Sequence, residues 1–155
     1  MTEAKPAARP PIRIFTIGFA KRGAREFFSA LHSAGVRRVV DVRLNNVSQL
    51  AGFTKRADLE YFLSAIGGIA YVHQPDLAPT KEILDAYKKK QIDWTEYERL
   101  FLGLLRDRRA ESLISPDEMD GACLLCSEPT AKKCHRRLVT EYLRENWGNV
   151  EVCHL

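Results

Sequence analysis

Residues 126–137 read Cys-Ser-Glu-Pro-Thr-Ala-Lys-Lys-Cys-His-Arg-Arg, a dense run of thiols, imidazole, carboxylate and cationic groups. An apolar run, Gly121 to Cys126, precedes it, and a stretch with Leu138, Tyr142 and Leu143 at helical spacing follows. The pattern predicts a strand ending at Cys126, a short loop, and a helix whose first turn holds Cys134, His135 and Arg136. Helix N-termini carry unpaired N–H groups and partial positive charge, which favour anions and lower a cysteine's pKa. Cys134 is therefore a candidate thiolate. Cys126 or Cys134 would act as nucleophile or redox centre, His135 would move protons, Glu128 would orient His135 or Arg136, and Arg136 would clamp an anion. The competing reading is structural: a semi-buried thiol at a strand-to-helix junction beside a solvated loop carboxylate.

Two further groups stand at predicted strand ends. Arg43 closes Val36 to Arg43, two residues after Asp41. There it can grip phosphate or carboxylate bidentately, or pair with a neighbouring acid. His73 ends Ile69 to His73, halted by Pro75. Its ordinary pKa of about 6.5 suits acid–base work, though a lone strand-end histidine is more often structural. Arg43 and Arg136 are expected outside the core, removable without loss of the fold. Cys123-x-x-Cys126 followed by Cys134-His135 superficially fits a zinc ligand list. However, strand positions three apart face opposite sides, and adjacent Cys134 and His135 make an awkward pair for one tetrahedron. Cys123 is accordingly placed in the core, and no metal ligand or cofactor is assigned. His32 and His154 read as structural, and Lys88 to Lys90 as a solvated face.

Elements that must position these groups follow from periodicity. Residues 1–11 contain three prolines and no apolar pattern, which predicts a flexible tail before a single α/β domain over 12–155. Strands are predicted at 12–18, 36–43, 69–73, 121–126 and 150–155. Helices are predicted at 23–34, 55–66, 80–108 with a break near Asp93, and 134–145. Strand, helix and strand within 12–43 form a βαβ unit, implying parallel pairing. Alternation throughout predicts a mostly parallel, Rossmann-like five-stranded sheet with helices on both faces. Ligands in such sheets sit outside the carboxyl ends of the strands, here Gly18, Asp41 to Arg43, His73 and Cys126.

The chain has 155 residues, 45% hydrophobic and 28% charged, which is a globular composition rather than a disordered one. No apolar run approaches the roughly 20 residues that span a bilayer, and the start has no secretory pattern, so no membrane association and a cytoplasmic address are expected. The four cysteines then read as thiols rather than structural disulfides. A net charge of +4 suits a small anionic ligand; nucleic-acid binding has weaker support, because the lysine run lacks interleaved aromatics. Oligomeric state is left open.

Three blocks of residues resemble the family called domain of unknown function 488 (DUF488). They are Thr16-Ile17-Gly18, then Val40-Asp41-Val42-Arg43 with Ser48 and Gly52-Phe53, and Cys126-x-Glu128 with Cys134-His135-Arg136, Leu138 and Glu141. Tyr71-x-His73-x-Pro75-x-Leu77 fits between the second and third, so the resemblance runs from about residue 14 to residue 145. Phe19 and Ala20 stand where the commoner form of the family has histidine and serine. Asn46 and Gln49 stand where proline and arginine are frequent. The resemblance implies the α/β fold and a site holding Gly18 and Ser48 with the residues above, but no reaction. The leading expectation is an enzyme acting on a small anionic or nucleotide-like substrate, with Arg43 and Arg136 holding negative charge. The alternative is a sensing module whose thiols bind metal or form a reversible Cys126–Cys134 disulfide while docking nucleic acid or an acidic partner.

Overall fold

A computed structural model describes residues 10–47, 52–128 and 130–155. Strand β1 (Ile12–Gly18) sends Ile14 to one face of a sheet and Phe15 and Ile17 to the other. Helix α1 (Ala24–Ala34) buries Phe27, Phe28 and Leu31, and ends where Gly35 turns left-handed at φ 73°. Strand β2 (Arg38–Asp41), helix α2 (Arg56–Gly67) and strand β3 (Ala70–His73) follow. The helical stretch expected over 80–108 is two helices, α3 (Lys81–Lys88) and α4 (Trp94–Arg108). The break has a local cause: the Asp93 side chain accepts from the Glu96 N–H and starts a new helix there. A short helix α5 (Pro116–Met119), capped by Ser115, precedes β4 (Ala122–Cys126) and has too few residues to show a periodicity. Helix α6 (His135–Trp147) and strand β5 (Val150–His154) complete the chain. Among the described residues, no helix is long and apolar enough to cross a membrane.

All five strands run parallel, in the order β3-β2-β4-β1-β5. The βαβ expectation needs one correction. β1 and β2 are parallel but do not pair, because β4 lies between them and bonds to both.

Helices cover both faces, as the alternating pattern requires. Residues Phe27, Leu31, Leu59 and Leu63 of α1 and α2 pack with Phe15, Val39, Cys123 and Leu125. On the other face, Phe101, Leu105, Leu138 and Leu143 of α4 and α6 pack with Ile14, Val40, Leu124 and Cys126. Cys123 and Cys126 thus face opposite sides of the sheet, as strand geometry demands. Cys123 is wholly buried in apolar surroundings, and burial raises its thiol pKa. It is expected to resist alkylation in the folded protein and to react only after denaturation, whereas exposed Cys153 reacts throughout. Equal native labelling of both, mapped by mass spectrometry, would contradict this placement.

Candidate functional site

Because β4 is inserted between β1 and β2, the ends of three strands meet where its chain leaves the sheet. Gly18 is in register with Cys126, and Asp41 with both Leu125 and His73. Beyond Cys126 the chain crosses the end of β1, held by the Ala20 N–H donating to the Ser127 carbonyl at 2.9 Å. A Cβ at Gly18 would collide with the Glu128 carbonyl and lie 2.7 Å from Arg136 Nη1. Gly18 therefore lets the loop pass close over the strand.

Cys134 is the N-cap of α6, with extended backbone (φ −138°, ψ 141°), and His135 is the first helical residue. This change of conformation between neighbours turns both side chains toward Cys126. Cys126 and Cys134 are joined as a disulfide, with Cα atoms 7.7 Å apart, which corrects the expectation that all four cysteines stand as thiols and is the pairing named in the sensing alternative. A ligand atom of His135 lies within 4.8 Å of both sulfurs. Cys134 and His135, which the sequence presents as an awkward pair for one tetrahedron, straddle this junction with their ligand atoms within 4.8 Å of each other. His135 donates Nε2–H to the Val42 carbonyl at 2.6 Å and sets its ring edge-on to Phe101. Burial pushes its pKa down to about 4, so the ring is neutral near pH 7. His73 donates Nε2–H to the Arg43 carbonyl at 2.9 Å. Two histidines thereby fasten successive carbonyls where β2 ends.

Both arginines are buried, contrary to expectation, and they differ in their partners. Arg43, 4% exposed, sends Nε and Nη2 to the two Asp41 carboxylate oxygens at 2.8 Å, and Nη2 also to the Thr54 carbonyl. Asp41 is fully buried and further accepts from the Arg43 backbone N–H and the Tyr71 hydroxyl. Tyr71 is pushed to a higher pKa by burial and then by this carboxylate. Arg43 thus closes a structural ion pair at the sheet end. Arg136, 1% exposed, meets no carboxylate in any ion pair among the described residues. Nη1 donates to the Glu128 carbonyl at 2.7 Å and to Cys126 Sγ at 3.0 Å, and lies 3.9 Å from Cys134 Sγ. Nε donates to Thr16 Oγ1, which pairs in turn with His154. Burial pulls its pKa down to about 10, so it remains charged near pH 7.

Several of these groups, though not buried Arg136, line a cleft of about 160 Å³. Its lining includes Arg43, Cys126, Glu128, Cys134 and His135, together with the aromatic residues Tyr87, Trp94 and Tyr97. Lys88 and Lys133, both exposed, stand at its edge. His73 and Gly18 lie behind the lining at the strand ends, while Ser48 and Gln49 fall outside the described residues. Sequence reasoning missed the aromatic wall, because Trp94 and Tyr97 fit the buried stripe of α4. It also missed Lys88, which looks like any solvated lysine near a helix end. The sequence signal for both was the Asp93 cap, which begins α4 at Trp94 and folds it back on α3.

An all-parallel α/β domain with a thiol, imidazole and guanidinium cluster at its strand ends is the class that this fold and site define. The family model described as "Domain of unknown function DUF488" matches residues 23–143, and the chain belongs to that family. No curated protein and no solved structure compared with the chain matches it.

Two measurements test the electrostatics. Asp41→Ala leaves Arg43 buried and unpaired, and is expected to cost about 3–5 kcal/mol in denaturant unfolding; a change below about 1 kcal/mol would show the pair to be unimportant. For His135, the unfolded ring takes a proton below about pH 6.5, whereas the folded ring stays neutral down to about 4. The unfolded state therefore binds more protons in that window, and stability falls as pH drops through it, by at most about 3 kcal/mol. His135→Gln keeps an N–H for Val42 and is expected to flatten that slope, leaving the smaller contribution of the same sign from His154. An unchanged slope would contradict the assignment.

Proposed function

We propose that the chain is an enzyme acting on a small anionic, nucleotide-like substrate through the Cys126, Cys134, His135 and Arg136 site. The observation that carries the reading is the buried Arg136 guanidinium, which faces the Cys126 and Cys134 sulfurs and meets no carboxylate in an ion pair among the described residues. Buried charges are costly unless compensated. Once the Cys126–Cys134 disulfide is reduced, a thiolate at either residue supplies the missing negative charge, and Arg136 in turn favours that ionised form. The start of α6 adds its dipole at Cys134. The thiolate is the electron-rich centre of the cleft. His135, neutral and tied to Val42, serves as a fixed lone pair rather than as an imidazolium acid. Glu128 is the carboxylate lining the cleft, its side chain makes no hydrogen bond or ion pair among the described residues, and in this reading it moves the proton.

The aromatic part of the lining supports the choice of substrate. Trp94 and Tyr97 stack at 5.1 Å, and Tyr87 packs against both. Such a wall offers a planar ring an apolar face, while Lys88 and Lys133 attract negative charge at the rim. Arg43 offers no bidentate grip, since its fork is on Asp41.

Thermal-shift and calorimetric titration with inorganic phosphate and nucleoside monophosphates test the reading. Nucleotides are expected to stabilise the protein more than phosphate does. Lys88→Ala with Lys133→Ala should weaken binding about tenfold, and Trp94→Ala should remove the preference for nucleotide over phosphate. No stabilisation by any of these anions, or equal stabilisation of all variants, would refute it.

A further inference from the structure

The thiols and the imidazole converge from three different backbone settings: a strand end, an N-cap and the first helical position. Together they offer two sulfurs and one ring nitrogen within 4.8 Å of one another. The Cα atoms of Cys126 and Cys134 are 7.7 Å apart, wider than the roughly 4.4–6.8 Å that disulfides usually span. Two thiolates sharing an ion, each at about 2.3 Å from it, tolerate a wider backbone spacing than two sulfurs bonded to each other. His135 has the outer contact typical of a metal-binding imidazole. Its Nε2–H is fixed on the Val42 carbonyl, so Nδ1 carries the lone pair. Arg136 donates to both sulfurs from outside, as a charge-assisted partner of a thiolate pair would.

We infer that Cys126 Sγ, Cys134 Sγ and His135 Nδ1 bind one zinc-class divalent ion, leaving its fourth position open to the cleft. Sulfur with imidazole selects zinc and its borderline-soft relatives over magnesium or calcium, which take oxygen. Three protein ligands with one open position is the arrangement of a catalytic rather than a structural site. All three ligand residues line the cleft, so a fourth ligand reaches the ion from there. The charge count specifies that ligand. Two thiolates cancel the ion, and Arg136 leaves one positive charge over, which a hydroxide or a substrate anion balances. The inference rests on the enzyme reading only in taking Cys126 and Cys134 as thiolates.

Protein reduced, stripped with chelator and kept anaerobic is titrated with Co²⁺ and then with Zn²⁺. One Co²⁺ per chain is expected, with a sulfur-to-cobalt charge-transfer band in the near ultraviolet that Zn²⁺ bleaches. Cys134→Ser and Cys126→Ser should reduce the band by about half or abolish it, and His135→Gln should weaken binding at least tenfold. Cys153→Ser should change nothing. Zn²⁺ protection of Cys126 and Cys134 from alkylation in the wild-type chain needs no variant, and so guards against one that does not fold. No charge-transfer band in stripped protein whose Cys126 and Cys134 react as free thiols would overturn the ion site and leave the thiolate reading standing. A band surviving both serine variants would overturn it too. Failure of the stripped, reduced protein to react at either thiol would overturn both. Anion binding by the metal-free protein is scored separately and bears on the enzyme reading alone.

Discussion

A guanidinium held almost wholly out of water sets the terms for this end of the molecule. Arg136 is on the first turn of α6, yet its side chain reaches back to β1 at Thr16, to β4 at Cys126 and to the crossing loop at Glu128. Desolvating such a group costs several kcal/mol, which neutral acceptors offset only in part. Several local features follow from accommodating it. Gly18 lacks a side chain because the Glu128 carbonyl and Nη1 occupy that space. Thr16 is a polar residue in an otherwise apolar strand centre. The Cys126 sulfur lies 3.0 Å from Nη1 and the Cys134 sulfur 3.9 Å from it.

The other buried arginine shows what a purely architectural solution looks like. Arg43 has its own carboxylate two residues away, the Thr54 carbonyl, and a tyrosine hydroxyl donating to the same acid. Its charge is cancelled locally, and what it holds is the geometry of the β2 end. His73 and His135 belong to the same frame through their N–H groups, although a ring nitrogen of His135 also lies within 4.8 Å of the two sulfurs. Both arginines are buried, and they are distinguished by whether an acid accompanies them.

Much of the fold could be read from the chain, because strands such as Ile12–Gly18 and helices such as Arg56–Gly67 carry their periods and their glycine stops openly. What could not be read was long-range. The pairing of Arg43 with Asp41 looks from sequence like one of two equal options, since the direction of a side chain past a strand's end depends on the loops around it. Burial of Arg136 depends on a loop crossing β1, which no local pattern encodes. The convergence of Cys134 and His135 needed the backbone angles of an N-cap. The residues of the cluster were legible from type and position; their division into architectural and chemical members was not.

The strand order carries a kinetic consequence. β4 is the partner of both β1 and β2, yet it begins at Ala122, long after both have been made. During synthesis, β2 and β3 can pair, while β1 has neither neighbour until β4 or β5 emerges. Two hydrogen-bonding edges rich in Val and Ile therefore wait for a distant segment. Closing such non-local parallel contacts is slow, and unpaired edges of this kind are where chains join one another. The protein's vulnerable moment is thus in the nascent chain, before a central strand slides between two already formed neighbours. The same late insertion finally brings Cys126 to the floor of the cleft, so assembly of the sheet and assembly of the site are one event.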